Sequence, residues 1–395
     1  MTVKRIREAI RRIDYFLIIT VAALLIVGLM MVYSSTFDLA YKGFGDPAYF
    51  FRRQILWMVL GLGAMIVLAR IEYQFWQRVA ILLMAGALLL LGIVLVFGNT
   101  RFGGQRWLLP GGSVQPSELC KLAVVIYVAA WLSSKGDRIR QITYGLIPFS
   151  ILIGLVTGLI MFQPDLSTAV LIALTGGAMF FIAGADLLQL AISLIFGGAT
   201  FVFLVSQLPH SATRIAVFLD PNSDPNGIAY HVRQTLIALG CGGWTGVGLG
   251  AGRQKFGYMP AAHTDAIFAV LGEELGLIGC LMVIGLFVAL AYRGFKIALE
   301  APDAFGTVLA AGLTCSLIIQ ALVNIAVVTA TLPYAGVPLP FISYGGSSLV
   351  VALASVGLLL SVSRGKTKKR RMGARARDNL GRRDWRARVS RVGRR

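Results

Sequence analysis

Charge is scarce in this 395-residue sequence, and negative charge scarcest: 14% of residues are charged, with 18 Asp and Glu against 37 Lys and Arg, while 57% are hydrophobic. So little charge cannot cover a water-facing surface, which excludes a soluble multidomain protein and makes lipid the solvent. Cysteine is equally thin. Cys120, Cys241, Cys280 and Cys315 form no CxxC pair, and three lie in apolar stretches where a thiol acts as a small hydrophobe, so neither a disulfide framework nor a zinc site follows. The only histidines, His210, His231 and His263, lie at no metal-ligand spacing, and no metal ligands are assigned. No Walker loop, dinucleotide fingerprint or G-x-S-x-G elbow is convincing: the glycines between 240 and 252 lack a following lysine-serine and a strand context, which argues against ATP-driven transport.

What the sequence has is long apolar runs. A spanning helix needs about 20 apolar residues, and hydropathy places ten spans, near 15–35, 54–70, 78–98, 118–134, 144–162, 166–184, 187–207, 266–292, 304–330 and 346–363. The expected fold is thus an all-α polytopic integral membrane protein. Residues 1–14 form a basic N-terminus, 15–363 one membrane domain, and 364–395 a basic tail expected to be disordered. Lys4, Arg5, Arg7, Arg11 and Arg12 precede an apolar run too long for a signal-peptide core and without a small-residue cleavage site, so the first span is expected to stay uncleaved. The tail carries 15 basic residues and the acids Asp378 and Asp384, supplying +13 of the net +19. Beside a hydrophobic span, such a tail fits cytoplasmic retention and anionic membrane lipids better than nucleic acid. With both termini cytoplasmic, the loop carrying Lys135, Arg138 and Arg140 falls inside as well, as the positive-inside rule requires.

This orientation puts the Gly- and Pro-rich polar loops on the extracytoplasmic side, at 99–117, 163–165, 208–265 and 331–345, the longest between spans seven and eight. Pro116, Pro164 and Pro340 lie at or shortly before helix starts, so several inward-running helices point their N-termini at one outer mouth. Aligned dipoles and free N–H groups suit an anion such as pyrophosphate, and Arg101, Arg106, Arg214, Arg233, Arg253 and Lys255 add positive charge, though any one loop arginine serves equally well as a solvated surface residue. Asp265, where a loop enters an apolar helix, is either an N-terminal cap or a functional carboxylate. Below it Ala269, Gly272, Gly276 and Gly279 form a small-residue stripe that either receives a neighbour or continues a lipid-facing cleft. Glu118 and Lys121, three apart on one helix face, are expected to pair. Glu273 and Glu274 lie ~12 Å deeper than Asp265 at the helical rise and are the main argument for a transporter. Trp107 either stacks on a sugar or anchors the interface.

Five strings then join into one pattern: Gly104-Gln105-Arg106-Trp107; Gln115-Pro116-Ser117-Glu118 with Lys121; Gln163-Pro164-Asp165; His263-Thr264-Asp265 leading to Gly272-Glu273-Glu274-Leu275-Gly276; and Pro340-Phe341-Ile342-Ser343-Tyr344-Gly345-Gly346-Ser347-Ser348. In this order, over about residues 14–363, they resemble the SEDS family of shape, elongation, division and sporulation proteins, with Leu219-Asp220-Pro221 and Gly248-Leu249-Gly250 nearer its FtsW branch than RodA. The resemblance implies a peptidoglycan glycosyltransferase polymerising lipid II on the outer face of the bacterial cytoplasmic membrane. It also implies a class B penicillin-binding protein and divisome or elongasome regulators as partners. By the same resemblance Asp265 is the catalytic base, and Arg106, Trp107, Glu118, Lys121, Asp165, Arg214, Arg253, Lys255, His263, Ser343 and Ser347 belong to the substrate site, with a divalent Mg or Mn as a candidate cofactor. One departure is Ala266, where the family pattern leads one to expect a bulky aromatic. A lipid II flippase and a non-catalytic divisome scaffold are the competing functions.

Overall fold

The computed structural model describes residues 14–97, 99–101, 104–107, 115–207, 209–220 and 227–365; the basic segments at either terminus lie outside them. The helices are α1 (Tyr15–Phe44), α2 (Tyr49–Arg70), α3 (Tyr73–Phe97), α4 (Pro116–Lys135), α5 (Ile147–Met161), α6 (Leu166–Ile182), α7 (Leu187–Gln207), α8 (Pro209–Leu219), α9 (Ile228–Gly242), α10 (Ile267–Leu299), α11 (Ala304–Val328) and α12 (Gly346–Gly365). Between α3 and α4 a short antiparallel hairpin pairs β1 (Asn99–Arg101) with β2 (Gly104–Trp107).

Local chemistry sets the ends. The Asp14 carboxylate accepts from the Leu17 N–H at 3.3 Å and opens α1, which stops at Gly45, left-handed at φ 68°, a conformation that costs glycine little. Pro116 sits in the first turn of α4, where its missing N–H costs nothing. Asp165 and Asp303 cap α6 and α11 with their carboxylates.

Contacts at helix ends sort the bundle into two poles. At one pole Arg293 Nε donates to Asp14 at 2.6 Å, Tyr73 OH to Asp303 at 2.8 Å, Gln189 Nε2 to the Arg140 carbonyl at 2.8 Å, and Arg364 to the Ala69 carbonyl. At the other, Gln115 Nε2 donates to Asp165 at 3.0 Å, Gln54 Nε2 to the Ser343 carbonyl at 3.3 Å, and the Tyr344 N–H to the His263 carbonyl at 2.9 Å. The long helices therefore alternate in direction, and the Asp265 region lies at the second pole.

Leu17, Met31, Leu91, Phe180 and Leu309 are sealed inside, yet the perimeter is equally apolar: Ile81, Leu82, Phe162, Leu188 and Ile195 are each about two-thirds exposed or more. Only lipid makes such a perimeter inexpensive. Among the described residues eight helices are long and apolar enough to cross a membrane, which makes this a multi-pass membrane protein; the apolar helix α6 has 17 residues, and α7 continues from Leu187 to Gln207. The expected loop 208–265 is not structureless, since it contains α8 and α9.

Of the two readings of the small-residue stripe, the structure shows the first: it receives a neighbouring segment. Helix α10 is broken at Gly276 (φ 68°, ψ −167°), and the segment after α9 zips onto the break: the Val247 and Gly248 N–H groups donate to the Glu273 and Glu274 carbonyls at 3.0 and 3.1 Å, and those of Leu277 and Ile278 to Gly243 and Trp244 at 2.9 and 3.1 Å. Backbone packs on backbone here. A Cβ on Gly246, itself at φ 81°, would lie 2.1 Å from the Glu274 carbonyl oxygen. Gly246→Ala is expected to destabilise the protein by about 2 kcal/mol or more, through strain and overpacking together. Thermal unfolding in detergent checks this, with Gly248→Ala, whose Cβ would meet only the Ala251 methyl at 4.0 Å, as a control for left-handed strain alone.

Candidate active site

Asp265 lies in the turn before α10, but it is not that helix's cap: Ala266 holds the cap position, and no side chain caps there. The cap reading is thereby set aside. The carboxylate is half-buried and rests against Gly336, where an added Cβ would come 2.9 Å from Oδ2. Gly336 belongs to the segment joining α11 to α12, which also brings Tyr334. The Tyr334 phenol is raised above its ordinary range by burial first and by the Asp265 charge second, with Arg214 opposing. The Arg214 guanidinium lies over the same ring, 5.6 Å from its centroid, and the His231 imidazole is tilted against it at 4.7 Å. Four elements thus converge: α8 brings Arg214, α9 His231, the α10 entrance Asp265, and the 329–345 segment Tyr334.

His231 is buried, and burial holds it below the ordinary imidazole range; the Pro260 carbonyl opposes that shift, although neither ring nitrogen makes a well-formed hydrogen bond. His263 is held down to about 4 by burial, packed between Phe50 and Tyr344 at centroid distances of 5.6 and 5.7 Å. Burial thus favours the neutral form of both imidazoles. Ser343 staples the site floor: its Oγ donates to the Thr264 carbonyl at 2.6 Å and accepts from the Leu339 N–H at 2.7 Å.

A second polar group lies deeper. Glu118 and Lys121 form an ion pair of 2.9 Å with both side chains about 5% exposed, as their spacing led us to expect. They line a small, partly open cavity together with Ser316, Gln320, Ser348 and Ser355. Lys121 Nζ also donates to Gln320 Oε1 at 2.8 Å. Asp165 joins the bundle instead: it accepts from Gln115 Nε2 at 3.0 Å, Ser117 Oγ at 3.3 Å and Thr168 Oγ1 at 2.8 Å. Ser347 accepts the Gln115 N–H at 3.3 Å and ties α12 to α4.

The deeper glutamates are consumed by the broken helix. Glu273 accepts the Arg253 N–H at 2.7 Å and that of Gln254 at 3.3 Å. Glu274, fully buried, pairs with Lys255 at 2.6 Å and accepts from Ser34 Oγ at 2.6 Å. Lys255, expected at the substrate site, lies in the structure as the buried partner of Glu274, its side chain 4% exposed, because a desolvated carboxylate needs a countercharge. Arg253 keeps its side chain exposed. The side chains of Arg106 and Trp107 lie outside the described residues. Among the described residues no three His, Cys, Asp or Glu side chains cluster where they could hold a metal.

Sequence reading missed Tyr334, which carries no motif signal, and the buried amides Gln320 and Asn324. The latter were visible as polar residues four apart in an apolar span.

An apolar-walled helical bundle with buried polar groups along its axis defines a multi-pass helical membrane protein. The chain belongs to the FtsW/RodA/SpoVE family, whose profile, described as a cell cycle protein, matches residues 15–368. It is 42% identical over 355 residues to the probable peptidoglycan glycosyltransferase FtsW of Trichlorobacter lovleyi, covering 89% of this chain and 93% of that one. It is 41% identical to the stage V sporulation protein E of Bacillus subtilis, covering 89% and 97%. Among solved structures it resembles a chain of a peptidoglycan synthase complex that coordinates polymerization and crosslinking (TM-score 0.72, 28% identity, 90% and 98% covered). It also resembles the rod shape determining protein RodA of Thermus thermophilus (TM-score 0.67, 28% identity, 90% and 97% covered). The enzyme class implied by the five strings is the one that the FtsW relative's name gives.

Lys255→Met, which strands the Glu274 charge, is expected to cost about 3–5 kcal/mol. Lys255→Met with Glu274→Gln is expected to recover most of that loss in thermal melts.

Proposed function

We propose that this protein is a peptidoglycan glycosyltransferase that polymerises lipid II at the outer face of the bacterial cytoplasmic membrane, with Asp265 as general base. The observation that carries the reading is the Asp265 carboxylate itself: relieved of helix capping, half-buried at one pole of an apolar bundle, and sharing the field at Tyr334 with the Arg214 guanidinium. In this scheme Asp265 removes the proton from the acceptor's 4-hydroxyl as that oxygen bonds to the anomeric carbon of the growing chain. The bond from that carbon to the lipid pyrophosphate breaks, and direct displacement inverts the anomeric centre. The leaving group departs as a stable anion, so positive charge serves it better than an acid, and Arg214, Arg253 and Arg106 are the cations assigned to it.

The reading takes the eight full-length helices, α6 and α7 as ten spans, with both termini cytoplasmic and the α8–α9 region outside. Anionic membrane lipids hold the basic tail. A class B penicillin-binding protein is the crosslinking partner, in line with the likeness to a chain of a complex coordinating polymerization and crosslinking. Division or elongation regulators complete the assembly.

The test is reconstitution of the purified protein with lipid II and its cognate penicillin-binding protein, with products resolved on a glycan gel. Wild type is expected to yield polymer and Asp265→Asn none, with transition-state loss of about 100-fold or more. Equal polymer from both overturns the base assignment. No polymer from wild type, with lipid II crossing liposome membranes, favours a transporter instead.

A further inference from the structure

Gln320 and Asn324 lie four apart on α11 and so share one of its faces, buried to 5% and 1% exposure. Each spends its amide nitrogen on backbone carbonyls near Asp265. Asn324 Nδ2 donates twice, to the Val337 carbonyl at 2.7 Å and to the carbonyl of Asp265 itself at 2.8 Å. Gln320 Nε2 donates to the Pro338 carbonyl at 2.9 Å, while its Oε1 accepts Lys121 Nζ at 2.8 Å. Val337 and Pro338 directly follow Gly336, the wall against which the Asp265 carboxylate rests.

We infer that Gln320 and Asn324 are positioning residues of the proposed glycosyl transfer: they clamp the backbone of Asp265 to the 336–338 wall and tie that wall to the Glu118–Lys121 ion pair. This rests on Asp265 being the base. Asn324 acts as a donor only, because both neighbours are carbonyls and its buried Oδ1 has no hydrogen-bond partner. One nitrogen bridging the catalytic residue and its wall fixes their spacing, which neither segment does alone. The series from Glu118 through Lys121 and Gln320 to Pro338 carries the central cavity's state to the same wall. A change in the ion pair therefore reaches Asp265 without touching it.

A purely structural role predicts loss of fold; a positioning role predicts loss of turnover with substrate affinity kept. The experiment measures kcat and KM for lipid II in the reconstituted complex, with melting temperatures alongside, for Asn324→Leu, Gln320→Leu, Lys121→Met and the double variant Lys121→Met/Gln320→Leu. We expect Asn324→Leu to lower kcat by about 100-fold, the scale of a misplacement near 1 Å, with KM changed less than about twofold. We expect the double variant to be no worse than its poorer single, since both break one series. Gln320→Glu, nearly isosteric, keeps the acceptor for Lys121 but loses the donor to Pro338; its added carboxylate is expected to lower the melting temperature, and turnover per folded enzyme is expected to fall, which gives a second reading where a leucine variant fails to fold. Normal kcat in Gln320→Glu and in a folded Asn324→Leu overturns the inference, as do a rise in KM alone or multiplicative effects in the double variant. Asp265→Asn is run in parallel: its retained activity refutes the base assignment, whereas its inactivity beside a fully active Asn324→Leu refutes only the positioning role.

Discussion

A polar group inside an apolar bundle has no water to fall back on, and the architecture follows from that constraint. Lone buried charges are intolerable, so Glu118 meets Lys121 and Glu274 meets Lys255. Bent backbone has the same need. The 336–343 segment, which cannot satisfy itself as a helix would, is held by Gln320, Asn324, Gln54 and Ser343. These bonds are short and shielded, and each missing partner leaves a desolvated carbonyl or charge behind.

The same requirement explains the break in α10. A straight helix would bury Glu273 and Glu274 against apolar neighbours. The break at Gly276 instead opens carbonyls to the 243–248 segment and brings both carboxylates within reach of Lys255, Ser34 and the 253–254 backbone. Glycine is needed where main chain meets main chain: an added Cβ on Gly242 would lie 1.9 Å from the Gly272 carbonyl oxygen, and one on Gly246 2.1 Å from that of Glu274. The glycine-rich stretch is thus a packing device, and the carboxylates that suggested a transport path are its anchors.

Asp265, outside the cap position of α10, is a carboxylate kept half-buried at the bundle's pole. Its surroundings are built from segments far apart in the chain. Arg214 precedes it by 51 residues and Tyr334 follows it by 69, and they meet only because α8, α10 and the α11–α12 connection end at the same pole.

Composition and local pattern determined the membrane class, the places of the apolar helices, the Glu118–Lys121 pairing and the prominence of Asp265, because each rests on spacing within one helix or on the sum of side-chain hydrophobicity. The five strings carried the family for the same reason, being contiguous. Tertiary structure alone decided that Lys255 is buried against Glu274, that the small-residue stripe is filled by a returning loop, and that Tyr334 meets Arg214 within the field of Asp265. Those outcomes depend on which distant backbone approaches which helix face. Hydropathy records how greasy a segment is, but not which partner a buried amide or charge will find across the bundle.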